Sequence, residues 1–190
     1  DLASARSETY ERAASLPRVA PGSLLEDLQR RDVTVNSMAV RLDAPHYGCF
    51  IDGMGGERDL RLRLLRVHHA LSFLEDPTRA YRVARFAARF GFEPSDETLS
   101  SLELAKRLGA FEALGGERLH REFGLITREP DPAAALAWCA KLGLLSPLGP
   151  GLRWNEEVRR WVSRLHSGLR SGLLDVRRSR THAALMTLLL

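Results

Sequence analysis

The sequence predicts an α+β protein in which strands and helices mix up to about Leu65 and helices alone follow. Two observations predict this class. Short apolar segments separated by turn residues occupy the first third of the chain, and the later segments carry apolar residues at helical spacing behind Asp, Ser or Asn caps. With 190 residues, 44% of them hydrophobic, the chain is long and apolar enough to bury a core.

The first elements are predicted from short local patterns. The segment DLASARSETY alternates apolar and polar residues as a short strand does, and a loop with proline and glycine follows to Gly22. Ser23 and Glu26 form a capping box, so we expect a helix through LLEDLQRR. The stretches 40–43 and 49–52 predict a hairpin around APHYG.

Helices are predicted for the rest of the chain. After the turn GMGG, the leucine spacing of ERDLRLRLLRVHHAL predicts a helix over residues 57–71. Five more are expected in SFLEDPTRAYRVARFAARFGF, SDETLSSLELAKRL, GGERLHREFGLIT, DPAAALAWCAKLGLL and NEEVRRWVSRLHSGL. The apolar end AALMTLLL is too short to cross a bilayer. Because the chain starts without methionine and stops inside an apolar run, both ends are expected to be truncated.

Arginine dominates the basic residues: of 28 Lys and Arg residues, only Lys106 and Lys141 are lysines. Arginine suits planar, bidentate recognition of phosphate or bases, and codon usage in a genome rich in G and C is the alternative cause. The formal net charge of +4 is compatible with nucleic-acid contact without establishing it. Cys49 and Cys139 lack metal-like spacing, which predicts free thiols in a reducing, cytoplasmic compartment.

The helix after Pro77 carries a row of arginines beside its apolar face. Pro77 fits the first helical turn, where a missing N–H costs nothing, and Asp76 can cap the helix. Four arginines fall within an arc of about 120°, next to the arc of Val83, Phe86, Ala87 and Phe90: Arg79, Arg82, Arg85 and Arg89. The row is predicted to line a cleft, and a solvated arginine-rich face is the alternative.

Two further segments contain candidate binding residues. In EDLQRRDVTVNSMA, an arginine beside an aspartate and Asn36 could hold a phosphate and a sugar hydroxyl, and the alternative is a helix end with a surface ion pair. In IDGMGGERDL, Asp52 and three glycines predict a tight turn before a helix. This turn has neither the length nor the lysine of a phosphate-binding P-loop, so it is interpreted as structural.

Taken together and in this order, RRDVTVNSMA, IDGMGGERDL and LSFLEDPTRAYRVARFAARFGF resemble the class II tRNA nucleotidyltransferase and bacterial poly(A) polymerase family. DLASARSETY is similar to the strand after that family's active site, so the resemblance covers residues 1 to about 127. It implies the later half of a nucleotidyltransferase head over residues 1–68, a helical neck over 69–127 and the start of a helical, RNA-binding body over 128–190. Val33 departs from the usual aromatic residue, and the family's metal-binding aspartate pair would lie upstream of Asp1.

The resemblance implies transfer of CMP or AMP from CTP or ATP to the 3′ end of tRNA or another RNA, with Mg²⁺ and release of pyrophosphate. The Mg²⁺ ligands would lie mostly outside this chain, so the 190 residues alone are expected to be inactive. CC-adding, A-adding and complete CCA-adding activities remain open. Poly(A) polymerase is the nearest alternative, and a non-catalytic RNA-binding module is the alternative from another class. The expected partners are therefore RNA, CTP and ATP, without a membrane.

The resemblance also implies roles for individual residues. Arg31 would contact the triphosphate and Asp32 the ribose, with Asn36 in support. Asp76 and Arg79 would read the base edge. The remaining candidates are residues that would hold phosphates, support that pair or face the active site from a strand: Arg82, Arg85, Glu75 and Asp1.

Base reading by a carboxylate and a guanidinium has a simple physical basis. Cytosine and adenine both present an exocyclic amino donor beside a ring-nitrogen acceptor. A carboxylate accepts from the amino group and a guanidinium donates to the ring nitrogen. Uracil and guanine reverse the pattern, and each mispaired buried group costs about 1–3 kcal/mol.

Other side chains are predicted to be structural. His68 and His69 are adjacent, so on a helix they would point about 100° apart and could not easily share a metal. Three tryptophans are expected in the core: Trp138, Trp154 and Trp161. The basic stretches 159–164 and 177–180 could contact an RNA backbone or form solvated faces.

Overall fold

The computed structural model describes residues 3–147, 151 and 153–171 of the chain. These residues form two compact units. The first contains the described residues up to Arg79 together with Phe92–Leu114, and the second contains Ala80–Gly91 and the described residues from Gly115 onward. In this part of the chain, no helix is long and apolar enough to cross a membrane. The α+β class is confirmed, whereas the domain division at residues 68 and 127 stays a prediction.

The first unit begins with two strands and a capped helix. Strand β1, Arg6–Thr9, is confirmed and pairs antiparallel with β2, Arg18–Pro21. The prediction of a loop up to Gly22 is therefore wrong in part. The prolines of this segment argued against a strand, but residues 18–21 form one because their backbone pairs with β1. Helix α1, Leu24–Gln29, begins at the predicted capping box, in which the Ser23 N–H donates to the Glu26 carboxylate at 2.7 Å.

The predicted hairpin is present but short. A 3-10 turn, Thr34–Asn36, leads to β3, Ala39–Val40, which pairs antiparallel with β4, Phe50–Ile51. The loop between these strands contains the stretch APHYG, as predicted. The hairpin carries exposed apolar side chains, with Tyr47 76% exposed.

The helix predicted over residues 57–71 is wrong beyond its first half. Helix α2, Gly56–Leu62, ends where Arg63 takes a left-handed backbone conformation with φ of 55°. The next two residues form β5, Leu64–Leu65, which pairs parallel with β6, Glu93–Pro94. The expectation of helices alone after Leu65 is therefore also wrong. Alternating leucines fit either element, and the strand partner lies far along the sequence.

The remaining helices are confirmed. In the first unit lie α3, Ser72–Glu75, and α5, Asp96–Arg107. Asp76 and Pro77 separate α3 from α4, Thr78–Phe90, whose residues from Ala80 onward belong to the second unit. In the second unit lie α6, Gly116–Ile126, α7, Pro132–Lys141, and α8, Glu156–Arg170. Side chains cap three of these helices by accepting a backbone N–H: Ser95, Asp131 and Asn155. The segment AALMTLLL lies outside the described residues.

Each unit has an apolar core of its own. The first unit buries Leu28, Val33, Leu65, Val67 and Phe73, each at most 5% exposed. The second unit buries another set: Tyr81, Val83, Phe123, Ile126, Leu136 and Val162.

Two predicted core side chains are not in the core. Trp161 is 51% exposed and Phe90 50% exposed, so their assignment to buried faces is wrong. Trp138 and Trp154 are half-buried. The Lys141 ammonium lies over the Trp138 ring, 4.0 Å from its centroid. Phe90 is the last residue of α4.

Gly56 is required by a close approach of two backbones. A methyl group at this position would overlap the carbonyl oxygen of Thr34 and lie 2.8 Å from Cγ of Met38. We expect Gly56→Ala to lower the free energy of unfolding by about 1–3 kcal/mol, the usual cost of overpacking, as measured by urea denaturation. Gly116→Ala is the matched control, because nothing lies within 4 Å of that added methyl. Equal midpoints for the two variants would contradict the prediction.

Candidate functional site

A cleft of about 430 Å³ opens in the first unit. Its walls come from β1 and the residue that follows it, the C-terminal end of α1, and the segment from His68 to the first turn of α4. The charged and aromatic side chains that line it are Glu8, Tyr10, Glu26, Arg30, His68, His69, Glu75 and Arg79. Opposite charges thus face a space large enough for part of a nucleotide-sized ligand.

Arg79 is the most buried of these residues. It is 5% exposed. Its guanidinium donates to the carbonyl oxygens of Arg30 at 3.0 Å and Ser72 at 3.4 Å, and to the Tyr10 hydroxyl at 3.5 Å. A guanidinium has five N–H groups, so these three bonds orient it and leave donors for a ligand.

Asp76 and Glu75 flank the start of α4. One carboxylate oxygen of Asp76 accepts from the backbone N–H of Thr78 at 3.0 Å and from its hydroxyl at 2.6 Å, which is the predicted cap. Glu75 lies 3.4 Å from Nε2 of His69 and 3.8 Å from Nη1 of Arg79. Asp76 is half-buried and Glu75 lines the cleft.

A network of ion pairs fixes the end of α1. Asp27 accepts from Arg30 at 2.7 Å and from Arg31 at 3.2 Å. Burial alone would raise the pKa of Asp27, but hydrogen bonds from Arg30, Arg31 and the Arg6 backbone hold it below its usual value. Glu8 accepts from Arg30 at 3.2 Å. Arg31 keeps 44% of its side chain exposed and can still reach an anion.

The RRDVTVNSMA segment is ordered by local bonds. Asp32 is buried and accepts from the Asn36 amide at 3.1 Å. The Ser37 hydroxyl lies 2.8 Å from Nε2 of His68. Burial, helped by the positive charge of Arg79, lowers the pKa of His68 to about 4, so this imidazole is neutral at pH 7.

The glycine-rich turn has the structural role that the sequence indicates. Asp52 accepts backbone N–H bonds from Met54, Gly56 and Glu57 at the start of α2. Burial alone would raise its pKa, and those bonds lower it overall.

The later arginines of α4 belong to the second unit, and so do their partners. Arg85 and Arg89 both donate to Glu129, at 2.7 Å each. The Glu129 side chain is only 2% exposed. Arg82 lies with its guanidinium carbon 5.7 Å from the Phe86 ring centroid. The nucleotide-binding roles of Arg82 and Arg85 stay predictions.

Sequence reasoning missed three of these residues. Tyr10 and Glu8 were seen only as part of a strand, and Glu129 was not singled out at all. The alternation in ARSETY places Glu8 and Tyr10 on the same side of the chain, which could have drawn attention to them. Asp1 lies outside the described residues.

Comparisons with known proteins agree with the residue patterns. The family model described as the poly A polymerase head domain matches residues 1–66. An A-adding tRNA nucleotidyltransferase from Geobacter sulfurreducens is 45% identical over 152 residues, which are 80% of this chain and 17% of that protein. The chain therefore spans less than a fifth of the length of this relative.

Solved structures with the same fold include "The structure of CCA-adding enzyme apo form II", with a TM-score of 0.88 and 30% identity over 99% of this chain and 44% of that one. Another is a tRNA nucleotidyltransferase complexed with a primer tRNA and an incoming ATP analog. It has a TM-score of 0.75 and 34% identity over 90% of this chain and 50% of that one.

Proposed function

Because the chain belongs to the class II tRNA nucleotidyltransferase family, we propose that the natural protein adds CMP, AMP or both from CTP and ATP to the 3′ end of tRNA. The observation that carries the proposal is the position of Arg79. Its guanidinium is held by three acceptors on the wall of a cleft and follows Asp76 by three residues.

A guanidinium in this setting suits base recognition. Since Arg79 is already oriented by protein acceptors, it loses little conformational freedom when a ligand binds. Its remaining N–H groups would donate to the ring nitrogen of cytosine or adenine, while Asp76 would accept from the exocyclic amino group. A carbonyl oxygen of uracil or guanine would instead face the Asp76 carboxylate and be repelled.

The other roles are part of the same proposal. The exposed Arg31 would contact the triphosphate, and Asp32, held by Asn36, would accept from a ribose hydroxyl. The chain would consist of the later half of a nucleotidyltransferase head, a helical neck and the start of an RNA-binding body. The protein would be cytoplasmic, since its RNA substrate would be found there.

The family's chemistry uses divalent metal, and magnesium is retained as the proposed cofactor. In residues 3–147, 151 and 153–171, no three His, Cys, Asp or Glu side chains are grouped so that they could hold a metal ion. The described residues therefore do not fit a complete metal site by themselves. No role proposed for Arg31, Asp32, Asp76 or Arg79 depends on one.

Poly(A) polymerase is the second candidate, because the matching head-domain model is described by that name. The two activities differ in the RNA they extend and in the product. A tRNA-specific enzyme stops after a defined end, whereas a poly(A) polymerase continues on unrelated RNA with ATP alone.

The test is nucleotide incorporation by the natural full-length protein. Its substrates are tRNA ending before the first C, tRNA ending in CC, tRNA already ending in CCA, and an unrelated RNA of equal length. We expect incorporation from CTP or ATP on at least one incomplete tRNA and none on the complete one. Extension of the unrelated RNA with ATP would favour poly(A) polymerase. RNA binding without incorporation on any substrate would overturn both and leave a non-catalytic RNA-binding module.

A further inference from the structure

Tyr10 connects β1 to the guanidinium of Arg79. Its hydroxyl donates to Oε2 of Glu8 at 3.0 Å and accepts from Nη2 of Arg79 at 3.5 Å. The guanidinium carbon also lies 5.8 Å from the centroid of the Tyr10 ring, within the range of a cation–π contact. One aromatic side chain thus contacts Arg79 through both its ring and its hydroxyl.

Glu8 holds Tyr10 in turn. Its side chain is 8% exposed, and its Oε1 accepts from Arg6 at 3.0 Å and from Arg30 at 3.2 Å. These two arginines keep the carboxylate from turning away, so Oε2 stays directed at the Tyr10 hydroxyl. Glu8 would also remain paired if that hydroxyl were removed.

The contacts close into a ring around one side of the cleft. Glu8 accepts from the side chain of Arg30, and the carbonyl oxygen of Arg30 accepts from Nη2 of Arg79 at 3.0 Å. Arg79 donates to Tyr10, and Tyr10 donates back to Glu8. Nη2 of Arg79 therefore has its two hydrogens directed by two different elements, β1 with its following residue and α1.

We infer that Tyr10 is a specificity-determining positioning residue: its hydroxyl, oriented by Glu8, sets the angle at which the Arg79 guanidinium meets the base of the incoming nucleotide. The inference rests on the proposed function, because it assigns Tyr10 a role through the base-reading arginine.

The protonation state of Tyr10 agrees with this direction of hydrogen bonding. Burial, partly opposed by Arg79 and reinforced by Glu8, raises the pKa of Tyr10 to about 12. The phenol is therefore protonated at neutral pH. The hydroxyl donates its one proton to the Glu8 carboxylate and accepts a hydrogen bond from the Arg79 guanidinium. The donor and the acceptor in each of these two bonds are therefore fixed.

The test removes the hydroxyl and keeps the ring. In the natural full-length protein, Tyr10→Phe should lower the ratio of kcat/KM for CTP over UTP, and for ATP over GTP, by roughly three- to tenfold, the usual worth of one hydrogen bond. Tyr47→Phe is the matched control, because Tyr47 is 76% exposed in the hairpin. A merely structural Tyr10 would lower kcat/KM for all four nucleotides by one factor and leave both ratios unchanged.

Arg79→Ala and the double variant separate the two possible failures. If Arg79→Ala leaves the nucleotide preference unchanged, the proposed base-reading function is overturned. If Arg79→Ala changes the preference while Tyr10→Phe behaves like Tyr47→Phe, the inference about Tyr10 is overturned alone. We expect Tyr10→Phe to have no further effect on the ratios in the Arg79→Ala background, since it acts through that side chain.

Two further measurements apply if Tyr10→Phe does not fold or if the protein transfers no nucleotide. Should Tyr10→Phe unfold, Glu8→Gln retains an acceptor for Tyr10 and removes the charge that Arg6 and Arg30 hold, so a smaller change of ratio in the same direction is expected. Should the protein transfer no nucleotide, calorimetric binding of CTP and UTP to the same variants replaces kcat/KM. Equal CTP-to-UTP affinity ratios in the wild type, Tyr10→Phe and Tyr47→Phe would then overturn the inference.

Discussion

In the natural full-length protein, the proposed base-reading role predicts that replacing Arg79 with alanine lowers kcat/KM for CTP and ATP by roughly 10- to 150-fold, the worth of about 1.5–3 kcal/mol for a hydrogen bond to a charged group. The loss should be smaller for UTP and GTP, because in the proposed role the wild-type guanidinium would meet an N–H of those bases and gain no hydrogen bond from them. The variant also removes the hydrogen bonds that Arg79 donates to the carbonyl oxygens of Arg30 and Ser72, so the folded protein loses some stability as well. The nucleotide ratio is therefore the informative measurement.

Asp76→Ala should also lower the ratio of kcat/KM for CTP over UTP, through loss of a hydrogen-bond acceptor instead of a donor. In the proposed role it would remove the acceptor for the amino group of cytosine and the charge that would repel the carbonyl of uracil, so misincorporation of UTP relative to CTP should rise. It also removes the cap on Thr78, which costs about 1 kcal/mol of stability.

A matched control separates the two effects of Asp76. Asp131→Ala removes a carboxylate that caps α7 by accepting from Ala134 at 3.0 Å, and it should cost similar stability without altering the ratio. If the Asp76→Ala and Arg79→Ala variants fold and keep the wild-type preference among CTP, ATP, UTP and GTP, the base-reading role of these two residues is contradicted.

Glu129→Ala is expected to cause a large loss of stability. The carboxylate is 2% exposed and is shared by Arg85 and Arg89 at 2.7 Å each, so its removal leaves the buried Arg85 guanidinium without its closest anion. Breaking a buried ion pair by removing one partner costs about 3–5 kcal/mol. Urea denaturation measures the loss.

The control for Glu129 is an exposed pair of the same kind. Glu103 accepts from Lys106 at 2.8 Å with 65% of its side chain exposed, so Glu103→Ala should cost less than about 1 kcal/mol. A loss for Glu129→Ala no greater than for Glu103→Ala would contradict a stabilising role of the buried pair.

The same carboxylate predicts a dependence on pH. Burial alone would raise the pKa of Glu129, but the bonds from Arg89 and Arg85 hold it below its usual value. A carboxylate with a depressed folded pKa contributes stability that is present above the unfolded value, about 4.3, and is lost as the pH falls through the folded value. Glu129→Gln should therefore lose less stability than the wild type between pH 7 and acid conditions.

Local chemistry determined most helix starts from the sequence alone. The capping box of Ser23 and Glu26, the caps Asp131 and Asn155, and the helix start after Asp76 and Pro77 each depend on residues within one helical turn. The order of the three motifs was likewise enough to identify the family. These features need no knowledge of distant partners.

Distant partners decided the rest. Leu64 became a strand residue because Glu93 pairs with it, although the leucine spacing predicted a helix. Arg79 and Arg85 stand on one helix at a regular interval. Yet Arg79 is bound by Tyr10, 69 positions away, and Arg85 by Glu129, 44 positions away. The spacing of residues in the sequence predicts the face of the helix on which each arginine lies. The groups that accept hydrogen bonds from it belong to other segments of the chain. Only the folded chain therefore distinguishes an arginine oriented on a cleft from one that neutralises a buried carboxylate.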